Sequence, residues 1–171
     1  MKKVLLTLVV LACGFAASHA QKFAIVDMEY ILKNVPAYEM ANEQLNQVSQ
    51  RWEKEVTELS KEAETMYKNY QADMVFLTDD QKKKREEEIV AKEKEVTDMR
   101  YKYFGPEGEL YKKRQSLMKP IQEDVYNAVK NVAEEKGYQV IFDRVSSQSI
   151  VFSSPRIDVS NEVLAKLGYA K

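Results

Sequence analysis

Cysteine and histidine are almost missing from this 171-residue chain: it has one of each, Cys13 and His19, both among the first twenty positions. If that segment is removed, the remainder has no thiol and no imidazole, which sets aside disulfide frameworks, Cys/His metal sites and most nucleophile-base pairs. Glycine is scarce at five and proline at four, so collagen-like and low-complexity disordered chains are excluded and mostly continuous regular structure is expected. What the chain has instead is charge. Charged residues make up 31% of it, against roughly a quarter in ordinary soluble domains, beside 44% hydrophobic residues. That mixture predicts a largely helical protein with a great deal of surface.

Residues 1–20 begin with Lys2 and Lys3, continue through an apolar run from Val4 to Ala12 and end in Ser18-His19-Ala20. This is the layout of a secretory signal peptide, with cleavage expected between Ala20 and Gln21. The apolar run falls short of the roughly 20 residues that a spanning helix needs. The alternative takes Val10-Leu11-Ala12-Cys13 as a lipoprotein box, with Cys13 lipidated and the protein tethered to a membrane facing the periplasm. Losing Lys2 and Lys3 and no acid takes the formal net charge from −1 to about −3, which argues against nucleic acid as a partner. An exported chain without disulfides belongs most simply in a bacterial periplasm.

Phe23 to Asp27 reads as a short buried strand, and Asp27 as the cap of a brief helix from Met28 to Leu32 that Pro36 ends. Beyond Tyr38 the pattern changes. Apolar residues recur at Leu45, Val48, Trp52, Val56, Leu59, Ala63, Met66, Tyr70, Met74 and Leu77, at a mean spacing near the ~3.5 of a coiled-coil seam. One helix of about 40 residues would reach roughly 60 Å. Thr78-Asp79-Asp80-Gln81 matches a capping box that opens a second helix. If the chain reverses there, Tyr70 should face Ile89, Ala63 face Val96, Leu59 lie near Met99 and Val56 face Tyr103. Gly105-Pro106-Glu107-Gly108 should kink or break the returning helix, and a helical pattern resumes from Leu110 to Val132 and stops at Gly137. Tyr138 to Asp143 and Ser149 to Phe152 read as two strands, and Ser160 as the cap of a last helix closed by Gly168.

The expected organisation is therefore a coiled-coil hairpin arm over residues 37–116, its tip near 77–82, and a body built from residues 21–36 and 117–171. That body holds about 70 residues, a size at which one core seldom supplies more than 3 to 5 kcal/mol. Its short strands leave unpaired edges. Self-association through Phe23, Ile25, Val140, Phe142, Ile150 and Phe152 is the physical expectation; the alternative is a sheet completed within one subunit and covered by the last helix.

The opening Phe23-Ala24-Ile25-Val26-Asp27, the Pro36 break before a long coiled hairpin, Gly137-Tyr138-Gln139-Val140-Ile141-Phe142-Asp143 and the closing run from Ile157 to Leu167 resemble the Skp/OmpH family of periplasmic chaperones. The resemblance spans nearly the whole mature chain. It implies a mainly α fold with a small β body, in which strands from the chain ends build a shared trimeric body and three arms hang around a cavity like the tentacles of a jellyfish. It also implies ATP-independent holding of unfolded outer-membrane proteins, with no cofactor. The absence of a glycine-rich phosphate loop followed by lysine is consistent with a passive mechanism. This chain departs from the strongly basic members in being mildly acidic, so no lipopolysaccharide site is carried over.

Apolar residues outside the seam are the client-binding candidates: Tyr67, Val75, Phe76, Val90, Tyr101 and Phe104, with Met66 and Met74 adding adaptable surface near the tip. Lys82-Lys83-Lys84-Arg85 reads mainly as a solvated helix face paired with Glu86 to Glu88, with weak contact to anionic lipid at the arm tips as its functional reading. Glu134, Glu135, Asp143 and Asp158 do not converge as an acid/base pair, and no catalytic or metal-ligating residue is expected. The competing function is a coiled-coil structural or adaptor protein of the cell envelope, anchored through Cys13.

Overall fold

The computed structural model describes residues 22–169; Cys13 and the Ala20–Gln21 junction lie outside the described residues. In chain order the elements are β1 (Phe23–Val26), α1 (Met28–Lys33), α2 (Pro36–Asp73), a single 3-10 turn (Met74–Phe76), α3 (Asp79–Phe104), α4 (Glu109–Lys136), β2 (Val140–Asp143), a second 3-10 turn (Pro155–Ile157) and α5 (Ser160–Lys166). The chain divides into two compact units. One runs from Val35 to Asp124, and the other joins the stretch up to Asn34 with that from Val125 onward.

In the unit made from the chain ends, β1 pairs in parallel with β2, Phe23 opposite Val140 and Val26 opposite Asp143. Ala24, Ile25 and Val26 are buried and Phe23 is exposed. Beneath them lies a core in which Ile31, Val125, Val132 and Val163 are fully enclosed, and α1 packs against α5. Asp27 caps α1 as its position suggested, accepting a hydrogen bond from the Tyr30 amide at 2.8 Å. Gly137 and Gly168 take φ of +73° and +83°, the left-handed conformation that glycine adopts without a Cβ penalty after a helix end.

Two expectations for this unit are corrected. Residues 149–152 form no strand. The Asp143 carboxylate instead accepts from the Val145 and Ser146 amides at 3.1 and 3.2 Å, which turns the chain away from the sheet directly after β2. Among the described residues the free side of β1 receives a single bridge, Ile25 with Asp158, in which the Val159 amide donates to the Ile25 carbonyl at 2.9 Å. Ser160 is not the cap of α5 either; Val159 holds that position and makes no side-chain cap bond. The buried Ser160 hydroxyl accepts from the Asp27 amide at 2.8 Å and donates to Asp158 Oδ1 at 2.6 Å, stitching two distant parts of the chain together.

In the other unit Pro36 opens α2 instead of merely ending α1, because its missing N–H falls where the first turn has no use for one. The capping box at the start of α3 forms as expected: the Gln81 amide donates to Thr78 Oγ1 at 3.4 Å, and the Thr78 amide donates to Gln81 Oε1 at 2.9 Å. Gly105 to Gly108 separate α3 from α4 completely. Pro120, by contrast, sits inside α4 without ending it.

Candidate functional site

The helices α2 and α3 pack along their lengths, and their contacts fall in reverse chain order. Asp73 pairs with Arg85 at 3.0 Å, the Tyr70 hydroxyl donates to Glu86, Lys92 meets Glu62 at 3.4 Å, and the Tyr103 hydroxyl donates to Glu55 at 2.7 Å. Between these polar ties lies an apolar seam in which Val56, Ala63 and Val96 are buried together and Leu59, Met99 and Tyr103 pack against them. These are the residues that the spacing of apolar positions had set opposite one another. Donation of hydrogen bonds from the Tyr103 and Tyr70 hydroxyls to Glu55 and Glu86 raises both phenol pKa values, and the Glu95 and Glu62 carboxylates raise that of Lys92.

With the seam occupied, most of the client-binding candidates stand on the surface. Val75 and Phe76, in the turn between the two helices, are 78% and 86% exposed, and Met74 beside them is also exposed. Tyr67, Val90, Tyr101 and Phe104 are exposed, Tyr101 to 70%, whereas Met66 is half-buried. At about 100° per residue, Val90, Tyr101 and Phe104 fall within one narrow stripe along α3, away from the buried Ile89 and Val96. The structure thus brings three candidates together on one helix face and three more at one tip. The four cations after that tip are largely paired: Lys82 with Asp79, Lys84 with Glu88 and Arg85 with Asp73.

The residues named for self-association divide differently. Phe23, Val140, Phe142 and Phe152 are exposed, the last to 84%, and Ile150 is half-buried. Ile25 is only 3% exposed, its side chain lying in the core of its own unit. Glu134, Glu135, Asp143 and Asp158 all have structural partners. Glu134 pairs with Lys130, Glu135 with Lys166, Asp143 with backbone amides and Asp158 with Ser160. Burial opposes ionisation of Asp143, but the Ser146 side chain and the amides of Met28, Val145 and Ser146 outweigh it and hold the pKa below the usual carboxylate value. Asp27 is held low chiefly by the Tyr30 amide and further by Arg144.

Residues 22–167 match the model of a family described as outer membrane protein (OmpH-like). The chain belongs to the OmpH-like family. A solved structure from Caulobacter crescentus CB15, described as a candidate outer membrane chaperone (OmpH-like), superposes on this OmpH-like chain with a TM-score of 0.69 at 14% identity. The match covers 85% of this chain and 82% of that one, and shows the shared fold. No curated protein matches the sequence. No helix among the described residues of this OmpH-like protein is long and apolar enough to cross a membrane.

One feature of this OmpH-like chain escaped its sequence pattern. Trp52 and Tyr103 stack with ring centroids 4.8 Å apart, Phe104 meets Tyr103 edge-on at 6.4 Å, and Lys102 Nζ lies 5.4 Å from the Tyr103 centroid. Tyr103 packs against the cluster that holds Val56, as its spacing predicts, and the Trp52 stack is a contact in addition to that one. The available signal was the presence of three aromatics, Tyr101, Tyr103 and Phe104, just before a Gly-Pro break.

Proposed function

We propose that this protein is an ATP-independent periplasmic holdase that binds unfolded outer-membrane β-barrel proteins and keeps them from aggregating. The working unit is a homotrimer. Phe23, Val140, Phe142, Ile150 and Phe152 at the joined chain ends seal the body, and α2 with α3 forms an antiparallel coiled-coil hairpin arm bordering a shared cavity. The signal peptide is removed at Ala20–Gln21, and the arm tips touch anionic lipid only weakly.

The observation that carries this reading is the spread of exposed apolar side chains along a helix pair whose seam is already filled, with Phe76 86% exposed at the turn, in a chain of the OmpH-like family. Barrel precursors alternate apolar and polar residues, so scattered weak contacts shield them without holding them irreversibly. The test has two parts. Light scattering after dilution of a denatured outer-membrane protein should stay low when this protein is present without nucleotide, and mass measurement in solution should give three chains. A monomer that leaves aggregation unchanged would end the proposal.

A further inference from the structure

Near the break between α3 and α4, a groove opens between α2 and α4, lined by Val48, Arg51 and Trp52 from one helix and Glu109, Lys112 and Lys113 from the other. One face of the Trp52 ring stacks on Tyr103, and Trp52 also lines this groove. Three cations and one carboxylate line it, in a chain whose formal net charge is −1. The carboxylate is partly neutralised already, because Glu109 pairs with Lys112 at 3.2 Å. Among the described residues Arg51 and Lys113 have no ion-pair partner, while most other lysines on these helices are matched with an acid three or four residues away.

An unpaired guanidinium and an unpaired ammonium on either side of an aromatic and aliphatic floor have a definite complement. They favour an anion that arrives together with an apolar group, since the ring rewards burial and the cations reward a carboxylate at its rim. We propose that this groove captures extended segments of unfolded client polypeptide in which an Asp or Glu adjoins an aromatic or large aliphatic residue. Arg51 and Lys113 hold the carboxylate, and Trp52 with Val48 receives the neighbouring side chain. The groove thereby adds sequence preference to a surface whose other contacts are apolar and unselective. This inference rests on the client-holding function proposed above and narrows it.

The test uses the full mature protein and two labelled ten-residue peptides, one carrying Glu-Phe pairs and the other Lys-Phe pairs. Trp52 is the only tryptophan in the chain, so its emission reports occupancy of the groove directly. The Glu-Phe peptide should shift that emission and bind at least about tenfold more tightly than its Lys-Phe counterpart, with affinity falling as salt rises. The double variant Arg51→Glu/Lys113→Glu changes exposed side chains only and should lose that preference while keeping its helical circular dichroism. Equal binding of the two peptides, or unchanged Glu-Phe binding by the double variant, overturns the inference. So does Arg51- and Lys113-dependent binding to anionic phospholipid vesicles with no response to either peptide, because the groove would then serve a membrane surface. Aggregation of a denatured barrel protein is followed in parallel. If the wild type suppresses aggregation but shows no peptide preference, only the groove assignment fails; if it does not suppress aggregation, the holdase reading fails and the peptide titration still decides the groove.

Discussion

Trp52 and Tyr103 stack with their ring planes within 5° of parallel, which clamps the last turn of α3 to the middle of α2 immediately before Gly105. The same tyrosine donates its hydroxyl to Glu55, so one side chain fixes the helix pair by both an apolar and a polar contact. Replacing Trp52 by alanine should cost about 1 to 3 kcal/mol, from the lost stacking and the lost apolar area. Thermal denaturation followed at 222 nm would measure it, and an unchanged midpoint would show that the stack adds nothing.

The break after α3 leaves no room for a side chain at Gly105 or Gly108. A Cβ on Gly105 would stand 2.4 Å from the Tyr101 carbonyl oxygen, and one on Gly108 would meet three backbone atoms at 2.9 Å. Gly105→Ala should therefore destabilise by about 1 to 3 kcal/mol through forced backbone displacement. This close packing also argues against a loose hinge. Amide exchange at Gly108, whose N–H donates to the Gly105 carbonyl at 2.9 Å, should be slow, and rapid exchange would show that the break opens freely.

Pro120 interrupts the hydrogen-bond ladder of α4 at an exposed position. Pro120→Ala should return one backbone bond and raise stability, by up to about 3 kcal/mol. A lower denaturation midpoint in the alanine variant would mean that the proline itself stabilises the helix where it stands.

Asp27 and Asp143 join the chain ends. Asp27 receives Arg144 and the Tyr30 amide, and Asp143 accepts from the Met28 amide at 3.3 Å. Both carboxyls are held below their ordinary pKa, so each contributes stability that is present above about pH 4 and is lost as pH falls through its folded value. Acid titration should loosen this unit below about pH 4, and Asp27→Asn should shrink the acid-dependent part of the transition while lowering stability at neutral pH. A pH profile unchanged in that variant would remove Asp27 from the account.

If the exposed apolar residues hold clients, changing Tyr67, Phe76 and Tyr101 together to serine should weaken client binding about tenfold or more and leave helicity intact, since none of the three lies in the seam. Fluorescence anisotropy of a labelled unfolded barrel protein measures it. Full affinity in the triple variant would move client binding elsewhere.

Much of the helix pair was legible in the chain itself. The seam from Leu45 to Tyr70 and its partners Ile89, Val96 and Met99, the capping box at Thr78, the break at Gly105 and the helix ends at Gly137 and Gly168 all follow from periods and caps a few residues long, whereas Met74, which the same period puts in the seam, is exposed in the turn after α2. Such signals are local, and the energies behind them act within one or two turns. Only the tertiary structure decided how the ends combine. It decided that β1 lies parallel to β2, that residues 149–152 form no strand, that Ile25 is buried while Phe23 faces out, and that Ser160 binds Asp27 instead of capping its helix. A four-residue apolar strand carries no record of its partner, because its neighbours lie more than a hundred positions away and its edge hydrogen bonds are the same for every candidate.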